Sequence, residues 1–230
     1  MLSKPNRLLL SNCIRLASGL WGLFLYGYSS SIFVFMEMDK EICRSNLLMS
    51  RQDTAVVVVD VQEKLVPVML DSSKLRWNIR RLMDGAKILG VPILATEQYP
   101  EKLGPTVSEL AVELSDVPEK LSFSCCGSED FVRQLRNAEI YKVLVCGIEA
   151  HVCVMQTVFD LLTAGYEVYV PTDAVSSRFE IDRDTAIRRM EASGVTLTTT
   201  EAALFEWCEV AGTPEFKQIS ALVREVAPQG

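Results

Sequence analysis

The chain has 230 residues, 49% of them hydrophobic, which suffices for one well-buried core or two small domains. Thirty acidic side chains against 23 basic ones give a net charge of -7, and without a basic run this acidic body excludes nucleic acid and anionic membrane as partners. A single histidine, His151, argues against a catalytic metal, and seven irregularly spaced cysteines without a CxxC pair suit free thiols in a reducing compartment rather than a disulfide framework.

Residues 1–50 differ from the remainder. They carry five basic and three acidic side chains, and the stretch 16–36 is uncharged and rich in Leu, Phe, Tyr, Trp and Ile. Its 21 residues could cross a hydrocarbon core of about 30 Å. Three readings are open: a transmembrane anchor, a cleaved targeting segment, or a segment outside the mature protein. The preferred one is a hydrophobic leader that is not part of the fold, with a domain over 51–230 located in the cytoplasm or mitochondrion. Membrane association then arises only where 16–36 is retained.

From residue 52 onward, strand and helix patterns alternate. Thr54 to Val61 is an almost unbroken β-branched run, the mark of a central parallel strand covered on both faces. Asp60 falls at its carboxyl end, where open α/β sheets hold ligands; it is either a solvated strand terminus or a site residue. Apolar spacing from Leu75 to Leu89 predicts a helix stopped by Gly90, then a strand over Val91–Ala95. The polar stretch from Thr96 to Pro105 predicts a loop whose Gln98 and Tyr99 could line a pocket. Glu119 to Gly127 shows no clear period; Lys120 there is a solvated edge lysine or a charge partner entering the pocket. A helix from Ser128 to about Asn137 follows, with acidic residues in its first turn.

Val143 to Cys146 reads as a short buried strand broken by Gly147, and Val152 to Leu162 has helical spacing. Cys153 therefore lies in the first helical turn after a strand, where unpaired N–H groups and the helix dipole favour a thiolate. It is either a nucleophile or one more small buried hydrophobe. Beyond it the pattern predicts a strand over Tyr166–Val170, a polar segment Thr172–Arg178, a helix over Ile181–Ser193 and a short strand at Val195–Leu197. Helices ending at Trp207 and Val226 complete the chain. The alternation predicts an α/β fold, a parallel sheet of five or six strands covered on both faces. Neither GxGxxG nor GxxxxGK[ST] occurs, so no nucleotide cofactor is expected.

With Asp60, Lys120 and Cys153 placed, the chain resembles the isochorismatase-like cysteine hydrolases, and within them the isochorismatase domain-containing proteins. The resemblance rests on Asp60-Val61-Gln62-Glu63-Lys64, Thr96-Glu97-Gln98-Tyr99-Pro100, Lys120-Leu121-Ser122-Phe123-Ser124 and Gly147-Ile148-Glu149-Ala150-His151-Val152-Cys153. Asp173-Ala174-Val175-Ser176-Ser177-Arg178 and Thr199-Thr200-Glu201 extend it, so that it spans about 52–227. It implies a three-layer α/β/α fold with a six-stranded, mostly parallel Rossmann-like sheet. It also implies Cys153 as nucleophile, Asp60 as base and Lys120 as its charged partner, with a cis peptide at Ile148–Glu149. The backbone N–H groups of Glu149 and Cys153 would form an oxyanion hole, and Lys120 would help keep the thiolate ionised.

Pocket candidates are Gln62, Gln98, Tyr99, Phe123, His151 and Ser176, with His151 read as a rim or packing residue. The implied activity is metal-independent hydrolysis of a small amide-like or related C–N substrate, without cofactor, by a homo-oligomer. The alternatives are a catalytically silent binding or scaffold protein of the same fold and a nicotinamidase-like amidase. Against the latter, Gln62 to Gln98 contains no histidine to build that branch's metal site.

Overall fold

The computed structural model describes residues 43–229; the apolar stretch 16–36, with the readings attached to it, lies outside them. By its contacts the chain divides into two units, 1–47 and 48–230. Of the first, only 43–47 are described; within it the Leu47 amide donates to the Ser45 hydroxyl at 3.2 Å.

In the second unit the elements in chain order are β1 (Thr54–Val59), α1 (Ser72–Leu89), β2 (Ile93–Gln98), α2 (Pro100–Leu103), α3 (Ser108–Ala111), β3 (Glu119–Lys120) and α4 (Glu129–Asn137). There follow β4 (Lys142–Ile148), a π-helical turn at Ala150–Val154, α5 (Met155–Thr163), β5 (Glu167–Pro171), β6 (Val175–Ser176), α6 (Glu180–Ala192), β7 (Thr196–Thr198), α7 (Thr200–Cys208) and α8 (Pro214–Val223).

Six strands run β3-β2-β1-β4-β5-β7, and a seventh, β6, pairs with the end of β4. Every strand pairing is parallel. This is the expected three-layer α/β/α arrangement, with one short strand more than the six anticipated. β6 has two residues, too short to leave a period in the sequence.

The alternation of β1 explains both layers. Val56 and Val58 face a core with Ile79 and Leu82 of α1, Trp207 of α7 and Ile219 of α8. Ala55, Val57 and Val59 face the opposite core, with Phe131 of α4, Val158 and Leu161 of α5 and Met190 of α6. All six residues of β1 are buried, so the strand needs apolar side chains on both faces. Burying each such valine contributes about 1.5–3 kcal/mol.

The chain moves outward from β1 to β2 and β3, then returns across β1 to β4. That reversal opens a crevice at the carboxyl ends of β1 and β4. Gly147 lets the two strands close: it has φ +119°, and a Cβ there would lie 2.2 Å from the Val59 carbonyl oxygen. At the opposite end of the sheet, buried Lys142 donates to the Leu48 carbonyl at 2.7 Å and to Asp53 at 3.0 Å. Met49 is fully buried.

Candidate active site

Val59 pairs with Gly147 on one side and with Thr96 on the other, so the ends of three strands converge. Asp60 follows at once with φ +51°, a left-handed conformation uncommon for aspartate, which ends the strand. Its carboxylate is fully buried: the Thr96 hydroxyl donates to Oδ1 at 2.8 Å and the Lys120 ammonium donates to Oδ2 at 2.6 Å. The Cys153 thiol is a further hydrogen-bond partner of the same carboxylate. Residues of β2, β3 and the π-helical turn, far apart in sequence, thus meet around the one carboxylate that follows β1.

Lys120 is held because β3 pairs with β2 in a register that sets it opposite Gln98. Its ammonium donates to Gln98 Oε1 at 3.0 Å, to the Phe123 carbonyl at 2.9 Å and to the Ser122 carbonyl at 3.3 Å, besides Asp60. A buried cation is tolerable only when its donors are met in this way. Gln62 braces the arrangement from behind. Its amide nitrogen donates to the Gln98 and Gly104 carbonyls at 3.0 and 2.6 Å, and its oxygen accepts from the Gln98 amide at 2.8 Å.

The electrostatics differ from the sequence expectation. Cys153 was expected to be a thiolate at a helix start with Lys120 helping to ionise it. Burial instead pushes its thiol well above the usual range, the Asp60 charge pushes the same way, and Lys120 opposes them. These effects favour the thiol form of Cys153. Burial raises the Asp60 carboxyl too, while Lys120, with the hydrogen bonds from Cys153 and Thr96, opposes that rise. An aspartate so placed is a stronger base than one in water.

The other anticipated residues separate into groups. The Ile148–Glu149 peptide is cis. Glu149 accepts from Arg178 Nε at 3.0 Å. Gln62, Gln98 and Ser176 are buried braces rather than free pocket walls: the Ser176 hydroxyl donates to the Leu70 carbonyl at 2.8 Å. His151 has Nδ1 3.0 Å from the Ser177 hydroxyl and Nε2 3.8 Å from Asp182, contacts apart from the Asp60 carboxylate. Tyr99 lines a cavity of about 310 Å³ together with Pro100, Glu101, Glu119, Lys120 and Leu121. Phe123 is 53% exposed, because the carbonyls of its loop turn inward to Lys120 and Gln98 and its side chain turns out. A larger cavity, about 600 Å³, lies along α1 between Arg76, Trp77, Arg80 and Glu225 and includes none of these residues.

Sequence reasoning missed Thr96 as a partner of Asp60, because the strand was ended at Ala95. The strand runs on to Gln98: Thr96 still pairs with Val59 of β1, and Glu97 and Gln98 pair with β3. A hydroxyl directly after an apolar strand was the available signal. Among the described residues no group of three or more His, Cys, Asp or Glu side chains is arranged to hold a metal ion. Nor is any helix there long and apolar enough to cross a membrane.

A family model described as "Isochorismatase domain" matches residues 54–202. The "Secreted isochorismatase effector Isc1" of Phytophthora sojae is 40% identical over 178 residues, 75% of this chain and 85% of that protein. The "Isochorismatase domain-containing protein 2" of Danio rerio is 39% identical over 181 residues, 78% of this chain and 91% of that protein. A solved structure of "MAR1 Ribonuclease" from Caenorhabditis elegans matches with a TM-score of 0.74 and 38% identity, over 79% of this chain and 95% of that one. The last match corrects one expectation. Nucleic acid was excluded as a partner from net charge, and a protein of this fold and similarity that carries the name ribonuclease removes that exclusion. Net charge reports the whole surface and is a poor guide to a single crevice.

Proposed function

The chain belongs to the isochorismatase family, and from that premise we propose that it is a cysteine hydrolase of a small amide-like or related C–N substrate. The observation that carries the reading is the buried Asp60 carboxylate, held on one oxygen by Lys120 and hydrogen-bonded to the Cys153 thiol. Asp60 takes the thiol proton as the Cys153 sulfur attacks the sp² carbon. The oxygen of that carbon gains the negative charge, opposite the backbone amides of Glu149 and Cys153. On collapse the C–N bond breaks and the nitrogen leaves with the proton from Asp60, giving a thioester. Water, losing a proton to Asp60, then attacks the thioester; the acid leaves and the proton returns to Cys153. The Lys120 ammonium at Oδ2 favours the ionised form of Asp60 between steps. No step requires a resident metal.

Cys125, Cys126, Cys146, Cys153 and Cys208 form no disulfide, which suits a reducing compartment, cytoplasmic or mitochondrial. The test is a panel of primary amides, ureides, imides and nicotinamide, with a structured RNA included because of the name its relative carries. Product release is followed together with intact mass. Turnover of a small C–N substrate, with an acyl adduct on Cys153 and its loss in Cys153→Ser, is the expected result. Turnover of RNA alone, or turnover that survives Cys153→Ser, overturns it.

A further inference from the structure

Behind the reacting pair stands a second set of side chains that the reaction scheme does not use. Thr96 is buried, and its hydroxyl has one proton, donated to Asp60 Oδ1 at 2.8 Å. The same oxygen lies 3.2 Å from Cys125 Sγ. Because the threonine proton is committed to the carboxylate, the sulfur must be the donor in that contact. The chemistry of Cys125 agrees: full burial, with the Asp60 charge adding to it, pushes its thiol up to about 12, so it keeps its proton.

Cys125 is fixed in turn from the side of the nucleophile. Its amide donates to the Thr157 hydroxyl at 2.9 Å, and that hydroxyl donates to the Cys153 carbonyl at 2.7 Å. The contacts close a ring that runs Asp60, Thr96, Cys125, Thr157, Cys153 and back to Asp60, with every member buried.

We propose that Thr96 and Cys125 are positioning residues for Asp60, acting as a fixed two-link donor chain, S–H to O–H to carboxylate, that orients the base. The inference rests on the proposed role of Asp60. The chain has a direction: Cys125 occupies one of the two lone pairs of the Thr96 oxygen, so the Thr96 proton is kept off the sulfur and directed to the carboxylate. Without it, Lys120 and the Cys153 thiol would be left to hold Asp60 against rotation. A hydrogen bond to the ionised form also favours ionisation, so Thr96 sets the pH below which the base fails.

The experiment follows the rate of Cys153 alkylation by iodoacetamide against pH, read peptide by peptide, in the wild-type chain and four variants. Thr96→Val should move the acid limb upward by roughly one pH unit, the about tenfold change expected for losing one hydrogen bond to a charged group. Thr96→Ser, which keeps the hydroxyl, should restore the wild-type limb. Cys125→Ala should move the limb the same way by less. Asp60→Asn separates the role of the base from that of its donors. If its profile matches the wild type, the role of Asp60 fails, and this inference with it. If it differs while Thr96→Val keeps the wild-type limb, or Thr96→Ser behaves as Thr96→Val, the positioning role is overturned alone.

Discussion

At the residue scale, the chemistry turns on how a buried carboxylate is shared. Asp60 and Lys120 are both out of water, so neither tolerates loss of the other. Lys120→Met leaves Asp60 without its counter-charge; its carboxyl should rise further and take a proton at neutral pH. We predict loss of turnover and a fall in stability of about 3–5 kcal/mol, the usual consequence of breaking a buried pair, measured by urea denaturation. An unchanged midpoint would mean that Lys120 reaches water in solution. The places of Asp60 and Cys153 were legible because Asp60 ends an apolar run and Cys153 lies in the first helical turn after a strand, positions with a physical meaning. The upward shift of the Cys153 thiol was not legible, because it depends on burial and on a carboxylate 93 residues away in the chain.

At the element scale, β1 and β4 bring the parts together, and both ends of this strand pair are clamped. At the carboxyl end a side chain at Gly147 would strike the Val59 carbonyl, so Gly147→Ala must push β4 from β1. A loss of about 1–3 kcal/mol or more is expected, with activity falling further than stability because Cys153 rides on β4. At the other end burial pushes Asp53 up. Hydrogen bonds from the Thr54 hydroxyl, the Ser50 amide and Lys142, together with the Lys142 charge, outweigh it and leave the carboxyl below its ordinary value.

A carboxyl lowered by folding contributes stability that is complete above its unfolded value near 3.8 and is lost as pH falls through the lower folded value. Asp53→Asn should therefore flatten the loss of stability in that acid window, as seen in melting temperatures between about pH 5 and 2 (a range set about the ordinary aspartate value). An acid limb identical to that of the wild type would contradict the assignment.

Element order and the covered parallel sheet could be read from runs such as Thr54–Val59, because an unbroken β-branched run suits little besides a strand buried on both faces. β3 and β6, of two residues each, could not be read. They exist through pairing with neighbours rather than through any local period. That loss mattered, since β3 carries Lys120.

At the scale of the whole molecule, the fold is anchored ahead of its first strand. Lys142 is buried at the start of β4 and takes two acceptors, the Leu48 carbonyl and Asp53, from the segment before β1. We propose that residues 48–230 fold by themselves, while a chain beginning at Thr54 leaves that ammonium stripped of both. Expression of the two lengths should give a cooperative melt for 48–230 and an aggregating or strongly destabilised product for 54–230. Equal melting temperatures would show the anchor to be dispensable.

The central claim is that Asp60 serves Cys153 as its base, and the most direct measurement is the pH profile of Cys153 labelling in wild type and Asp60→Asn. In the wild type, Cys153 should label faster near neutral pH than the partly exposed Cys126 and Cys208, with an acid limb that belongs to Asp60. In Asp60→Asn that limb should vanish. The apparent pKa of Cys153 should fall, because a negative charge and a hydrogen-bond acceptor are removed while Lys120 remains. A Cys153 that labels no faster than Cys126 and Cys208, with a profile unmoved by Asp60→Asn, would contradict the claim and leave a hydrolase fold without a hydrolase's nucleophile.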